Sequence, residues 1–353
     1  VAGDLAVFPL IRPGTAAPAY LTLSEAISQH LVQITEVSEG GSVPQLLLVN
    51  EATQPVLLLD GEELVGAKQN RVLNLTVLVP AVSKTVIPVS CIEQGRWHWR
   101  SRHFEAANRT LYASARAEKM AQVSQSMREE DGYRSDQHAI WESIGCKAAN
   151  FEMHSPTGAA SDLYEDRSAL LDHMVSQVKP QTDQVGAAFM VRDRLVGAEL
   201  FGSAQGFSSL LPKLVRSYGL DALDARESAG VRRRRAASDP ATLVKTFLAK
   251  LLSATALRKP ALGLGEDLRL EEHDLVGAAL EAGHHVGPHC GAQFESGGGP
   301  SPFPGAIDVQ CVGHGDGSEH RIVGKSRCEV FEEIGDRIIG DSGQLSEPCE
   351  RCG

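Results

Sequence analysis

A chain of 353 residues with 42% hydrophobic and 22% charged side chains is long enough to bury a sizeable core and ordinary in composition for a globular protein. Its 45 acidic against 34 basic side chains leave a formal net charge of -11, which argues against a general nucleic-acid or anionic-membrane binder, because both partners require a positive field. The balance favours a small molecule or a protein as partner.

The opening stretch VAGDLAVFPLIRPG lacks a basic segment followed by an apolar one, so no secretory leader is expected. Apolar runs fall short of the roughly 18 to 20 residues that a membrane helix needs, and Asp60, Pro80 and Pro88 interrupt the best of them. Seven cysteines at irregular spacing do not make a disulfide framework. A cytoplasmic protein with reduced thiols is the expectation.

In chain order, Thr22 three residues before Glu25 is a capping box and predicts a short helix over 21–31. From Val32 to Cys91 short β-rich runs such as PQLLLVN, RVLNLTVLVP and TVIPVSCI alternate with turn punctuation, which predicts a compact antiparallel unit. The Ala-, Glu- and Arg-rich stretch 104–130 predicts one long helix, and further helices are expected at about 135–150 and 160–178. Residues 183–203 read as a hairpin turning near Arg192-Asp193-Arg194, followed by a helix despite Pro212. Four arginines at 232–235 look like a solvated linker. Asp239 and Pro240 then start a helix running through about residue 257, and a strand pair is expected over the stretch that follows.

Residues 287–353 hold 14 of the 34 glycines and five of the seven cysteines, with little periodicity. This reads as an irregular extension, and its single CxxC at Cys349 and Cys352, lacking a second pair at regular spacing, does not amount to a metal site. The fold expected is α+β: an antiparallel β sandwich or barrel-like N-terminal unit packed with several helices and further β-hairpins, then a weakly structured tail. Residues 1–286 would form one large domain, with a β-rich part over 1–100 and a helix-plus-hairpin part over 101–286.

Two polar islands interrupt the apolar runs. In LDGEELVGAKQNR, strand alternation puts Asp60 and Glu62 on one face and Glu63 on the other, which makes Glu62 the candidate to look into a pocket as an acid or base. Lys68, Gln69, Asn70 and Arg71 then supply cations and carboxamides suited to an anionic, hydroxyl-rich ligand. In SCIEQGRWHWR, Glu93 shares a face with Cys91, while Arg96 and Trp97 could meet a phosphate and a base or sugar. Gln137 and Trp141, four residues apart on a helix, are a further pair. GxGxxG, P-loop, GxSxG and HExxH patterns are absent, and no cofactor is indicated.

The motifs LLLDGEELVGAKQNRVLNLTVLVPA, IPVSCIEQGRW and DQVGAAF with LVGAELFGS and KLVRSYGLDAL together resemble the ADP-ribosylglycohydrolase and rhodanese-phosphatase-associated protein domain family, over about residues 5 to 286. The family name implies a place in ADP-ribose or NAD-derived metabolism. Carried over residue by residue, the resemblance points to Asp60, Glu62, Glu63, Lys68 to Arg71, Cys91, Glu93, Arg96 and Trp97. Three readings stand at this level: an enzyme on an ADP-ribose-like nucleotide using Glu62, Glu63 or Glu93; a non-catalytic ligand sensor or partner-binding domain; and a polar network that only fixes strand register.

Overall fold

The computed structural model describes residues 3–15, 20–38, 40–42, 44–228, 239–272, 275–282 and 306–313. The first half of the chain runs β1 (Leu5–Ile11), β2 (Leu21–Thr22), α1 (Leu23–Ser28), β3 (Val32–Glu36), β4 (Gln45–Asn50), β5 (Val56–Leu58), β6 (Glu62–Gly66), β7 (Arg71–Leu73), β8 (Val77–Val79), β9 (Ser83–Cys91) and β10 (Phe104–Thr110). Four helices follow, α2 (Ala113–Arg128), α3 (Gln137–Asn150), α4 (Ala160–Asp166) and α5 (Ser168–Gln177), then the hairpin β11 (Gln184–Val191) and β12 (Arg194–Leu200). The remainder is α6 (Ala204–Ser228), α7 (Pro240–Ser253), β13 (Thr255–Pro260), β14 (Glu266–Glu272), β15 (Leu275–Ala282) and β16 (Ala306–Gly313).

The fold is α+β, with an antiparallel six-stranded sheet in the order β10-β6-β7-β9-β4-β3 that curls on itself. Its concave face collects one residue in two from each strand, so that Ile34, Leu46, Leu48, Leu64, Leu73, Ile87 and Val89 form a single core cluster. A small sheet, β2-β5-β8, and α1 pack with it. The capping box is present: Glu25 N–H donates to Thr22 Oγ1 at 3.4 Å and Thr22 N–H to Glu25 Oε2 at 2.8 Å.

The second sheet has seven antiparallel strands in the order β1-β11-β12-β16-β15-β14-β13. Its strand β11 is buried at every position. Ala187, Phe189 and Val191 face α6, whereas Ala188 and Met190 face α7, so both faces are covered and the run shows no polar alternation. The Phe189 and Tyr218 rings stack with centroids 3.9 Å apart. Among the described residues no helix is long and apolar enough to cross a membrane.

The helix expected over 160–178 is two, α4 and α5, parted at Arg167, and three further segments depart from the sequence expectation through tertiary contacts. Residues 104–110 are strand β10, because pairing of Phe104 with Gly66 and Thr110 with Glu62 outweighs their helix propensity. The helix begins only at Ala113, and its first turn is capped from a distance: Ser114 N–H and Oγ donate to Asp221 of α6 at 2.7 and 2.8 Å. The helix expected through residue 257 ends at Ser253, and Thr255–Pro260 pairs with β14 as an added strand. Within the tail, residues 306–313 form β16, inserted between β12 and β15. Arg232 to Arg235 and the CxxC pair lie outside the described residues.

Candidate functional site

The structure brings the two polar islands together at one end of the curled sheet. Register does this: β7 lies between β6 and β9, with Arg71 opposite both Leu64 and Cys91. The turn joining β6 to β7 is tight. Gly66 has φ +135°, and a Cβ there would come within 2.6 Å of the His103 carbonyl oxygen, so only glycine fits. That turn aims Gln69 and Asn70 at the chain after β9.

Gln69 donates through Nε2 to the Glu93 carbonyl at 2.8 Å, and its Oε1 accepts from Arg71 Nη1 at 2.9 Å and from the Cys91 thiol at 3.0 Å. Asn70 N–H donates to Glu93 Oε2 at 3.1 Å. Arg96 is fully engaged: Nε donates to Glu93 at 2.8 Å, Nη1 to the Ala67 and His98 carbonyls, and Nη2 to Asn70 Oδ1 at 3.0 Å and the Gly66 carbonyl. It is a staple between the islands, with little capacity left for a ligand.

Arg71 differs. It is wholly buried, yet its Nε and Nη2 have no hydrogen-bond acceptor among the described residues. The nearest carboxylate is Glu36 at the end of β3, with Oε1 3.8 Å from Nη2, too long for a hydrogen bond. Among the described residues, neither Glu36 oxygen has a hydrogen-bond partner either. Burial pulls Arg71 below the ordinary guanidinium pKa, against the opposing pull of Cys91 and Glu36.

Above this layer sit Trp97 and Trp99, each 48% exposed, with Lys68 Nζ 5.4 and 5.1 Å from their ring centroids. The Arg71 guanidinium lies 5.6 Å from the Trp97 ring centroid. Lys68 Nζ donates to the Gly40 carbonyl at 2.8 Å, and a Cβ on Gly41 would lie 3.4 Å from Glu36 Oε2 and 3.5 Å from the Trp97 ring. Residues 97–103, including Arg100 and Arg102, are exposed throughout. A protein of net negative charge thus displays a basic, aromatic rim over a buried guanidinium.

The remaining candidates have defined places. Glu63 forms an ion pair with Arg109 and receives a long 3.5 Å contact from Asn70 Nδ2. Burial pushes its pKa up despite Arg109. For Glu93 burial also pushes upward, but Arg96, the Asn70 amide and Thr157 together bring the net value below that of an ordinary glutamate. Burial raises the Cys91 thiol, which leaves it protonated and unsuited to nucleophilic work. Gln137 grips the backbone of Cys91, accepting from its N–H at 2.7 Å and donating to its carbonyl at 2.5 Å, and so docks α3 onto β9. Trp141, one turn along α3, lies beside the Cys91 thiol.

Asp60 and Glu62 are not part of this network. Glu62 is fully buried in a pair with Lys213 of α6, which also donates to Ser24 Oγ at 2.8 Å, and Glu62 Oε2 accepts from the Leu59 amide. Asp60 pairs with Lys119 of α2. One helical turn from Lys119, Arg116 Nη1 donates to Glu199 Oε1 at 3.0 Å, and Tyr218 OH donates to the same oxygen at 3.0 Å. Arg116 packs so closely on Gly61 (φ +82°) that a Cβ would come within 2.7 Å of its side chain. This second cluster ties α2, α6 and the seven-stranded sheet to the turn at residues 60–62.

Glu36, Arg109, Arg116, Lys119, Glu199 and Lys213 were not singled out from sequence. Two carried a usable signal. Glu36 continues the core-facing alternation of Val32 and Ile34, and Lys213 is the sole charge in the apolar run LLPKLV. Arg116 and Lys119 sit in an Ala-rich helical stretch where a surface position would read the same.

These features define an α+β protein whose curled antiparallel sheet ends in an ionic network spanning β6, β7 and β9. Residues 1–288 match the family described as ARPP-1, the ARG and Rhodanese-Phosphatase-superfamily-associated Protein domain, and the chain belongs to that family. No curated protein and no solved structure matches the chain.

Proposed function

We propose that the protein binds an ADP-ribose or NAD-derived nucleotide where the curled sheet meets the rim of Trp97 and Trp99. The observation that carries this reading is Arg71, a fully buried guanidinium whose Nε and Nη2 lack acceptors among the described residues, set beneath a half-exposed indole. A buried donor left unmade is costly, about 1–3 kcal/mol and more for a charged group, so a ligand oxygen that met it would recover that cost. Exposed indoles suit a base, and Lys68, Arg100 and Arg102 suit phosphates. The family's name, which joins ARG with the rhodanese-phosphatase superfamily, supports the nucleotide class.

Binding is favoured over turnover by the state of the three carboxylates considered for catalysis. Glu62, Glu63 and Glu93 are each committed to a cation: Lys213, Arg109 and Arg96 respectively. A general base needs a carboxylate free to reach a substrate proton. Calorimetry with ADP-ribose and with NAD on the wild type and on Arg71→Ala tests the proposal. Saturable heat in the wild type, lost in the variant, is expected; a wild type silent toward both ligands removes the reading. Chromatography of the same mixtures after incubation checks turnover, with unchanged ligand expected.

A further inference from the structure

We infer that Glu36 and Arg71 together read a vicinal diol, the 2- and 3-hydroxyls of a ribose, and that phosphate is held elsewhere, at the rim. The inference rests on the nucleotide reading above and adds Glu36 as a specificity-determining residue of that site.

The two groups present opposite halves of the hydrogen-bond inventory. Glu36 is 7% exposed and offers two acceptor oxygens, and Arg71 is 0% exposed and offers two donor groups, Nε and Nη2; among the described residues none of the four has a hydrogen-bond partner. Glu36 Oε1 and Arg71 Nη2 stand 3.8 Å apart. An oxygen about 2.8 Å from each completes a triangle on that base with ordinary hydrogen-bond lengths. Such an oxygen must donate to Glu36 and accept from Arg71, which a hydroxyl does and a phosphate or carboxylate oxygen does not. A second, adjacent hydroxyl would use the other carboxylate oxygen.

Charge points the same way. A phosphate placed at this depth would face the Glu36 carboxylate, and like charges at close range in a poorly hydrated site repel strongly. Lys68, beside the exposed indoles, carries its charge further out. A ligand with its sugar at Glu36 and Arg71 and its anionic part toward Lys68, Arg100 and Arg102 would thus match the charge at both depths. The same pairing of an acidic side chain with ribose hydroxyls recurs in dinucleotide-binding folds on unrelated scaffolds. Trp97, 48% exposed and 5.6 Å from the Arg71 guanidinium, is the ring that a ligand would have to move to reach the pair, and exposed side chains change rotamer on the picosecond-to-nanosecond scale.

The test is calorimetric titration of the full chain with D-ribose 5-phosphate, 2-deoxy-D-ribose 5-phosphate and ADP-ribose, with ADP-ribose repeated on Glu36→Gln. Losing one hydrogen bond to a charged group should weaken the 2-deoxy compound by about 10- to 100-fold relative to its parent, and Glu36→Gln should weaken ADP-ribose by a similar factor. Equal binding of the two pentose phosphates, or no ribose 5-phosphate binding beside ADP-ribose that binds, overturns the diol assignment while leaving the nucleotide reading intact. Absence of binding by ADP-ribose and NAD alike removes both. Should Glu36→Gln fail to fold, the pair of pentose phosphates on the wild type decides alone.

Discussion

The two ionic clusters use the same residue types to opposite ends. Around Arg116, every charge is shut between α2, α6 and the two sheets, and Arg116 and Glu199 are both fully buried. Around Arg71, the charges lie just beneath two half-exposed indoles and a basic rim. Both clusters contain polar atoms without partners, so an orphaned atom alone does not distinguish a ligand site from a structural ion pair. What separates them is the surface above: an enclosed pair can only hold the fold together, whereas a guanidinium under exposed aromatic rings can also meet a solute.

That contrast breaks most sharply under mutation. Arg116→Met should strand the Glu199 carboxylate in the interior and cost about 3–5 kcal/mol of stability, measured by urea denaturation. A loss below about 1 kcal/mol would show that the pair is hydrated and the enclosed cluster misread. Arg71→Met should cost less stability, because the Glu36 carboxylate that it leaves stands 3.8 Å away without a hydrogen bond and, among the described residues, only the hydrogen bond to Gln69 is broken; its larger effect falls on the ligand, since losing two hydrogen bonds to a charged group weakens ADP-ribose by about 100-fold or more. Comparable unfolding costs for the two variants would erase the distinction. Trp97→Ala removes a half-exposed ring and should leave the melting temperature unchanged while costing about 1–3 kcal/mol of nucleotide affinity, the usual worth of one base stacked on an aromatic ring.

The smallest expected effect concerns acid. Glu93 has its folded pKa held below the ordinary glutamate value, so its contribution to stability is complete above about pH 4.5 and declines as pH falls through the lowered folded value. Glu93→Gln should therefore be less stable than the wild type at pH 7, with the gap narrowing below pH 4.5 in denaturation curves. A gap that stays constant with pH would mean that Glu93 is not ionised in its contacts with Arg96 and the Asn70 amide.

How much of this could be read from the chain follows from the range of the interactions involved. The capping box at Thr22, the hairpin at Arg192 and the Asp239-Pro240 start of α7 are local, and the sequence shows them. β10 and β13 are not local. Their residues favour helix, and only pairing with β6 and β14 makes them strands. Within the site, the polar islands stood out because they interrupted apolar runs, and strand alternation separated Glu62 from Glu63. The cations that hold those glutamates, Lys213 and Arg109, come from residues 151 and 46 positions away, and sequence spacing carries no trace of such pairs. Glu36 was legible by its phase in β3.

The most direct test of the central claim is a crystal structure of the protein grown with ADP-ribose. Ligand density is expected under Trp97, with sugar hydroxyls between Glu36 and Arg71 and the phosphates toward Lys68. Density on another face of the molecule, or an Arg71 side chain unchanged and untouched at saturating ligand, would contradict it.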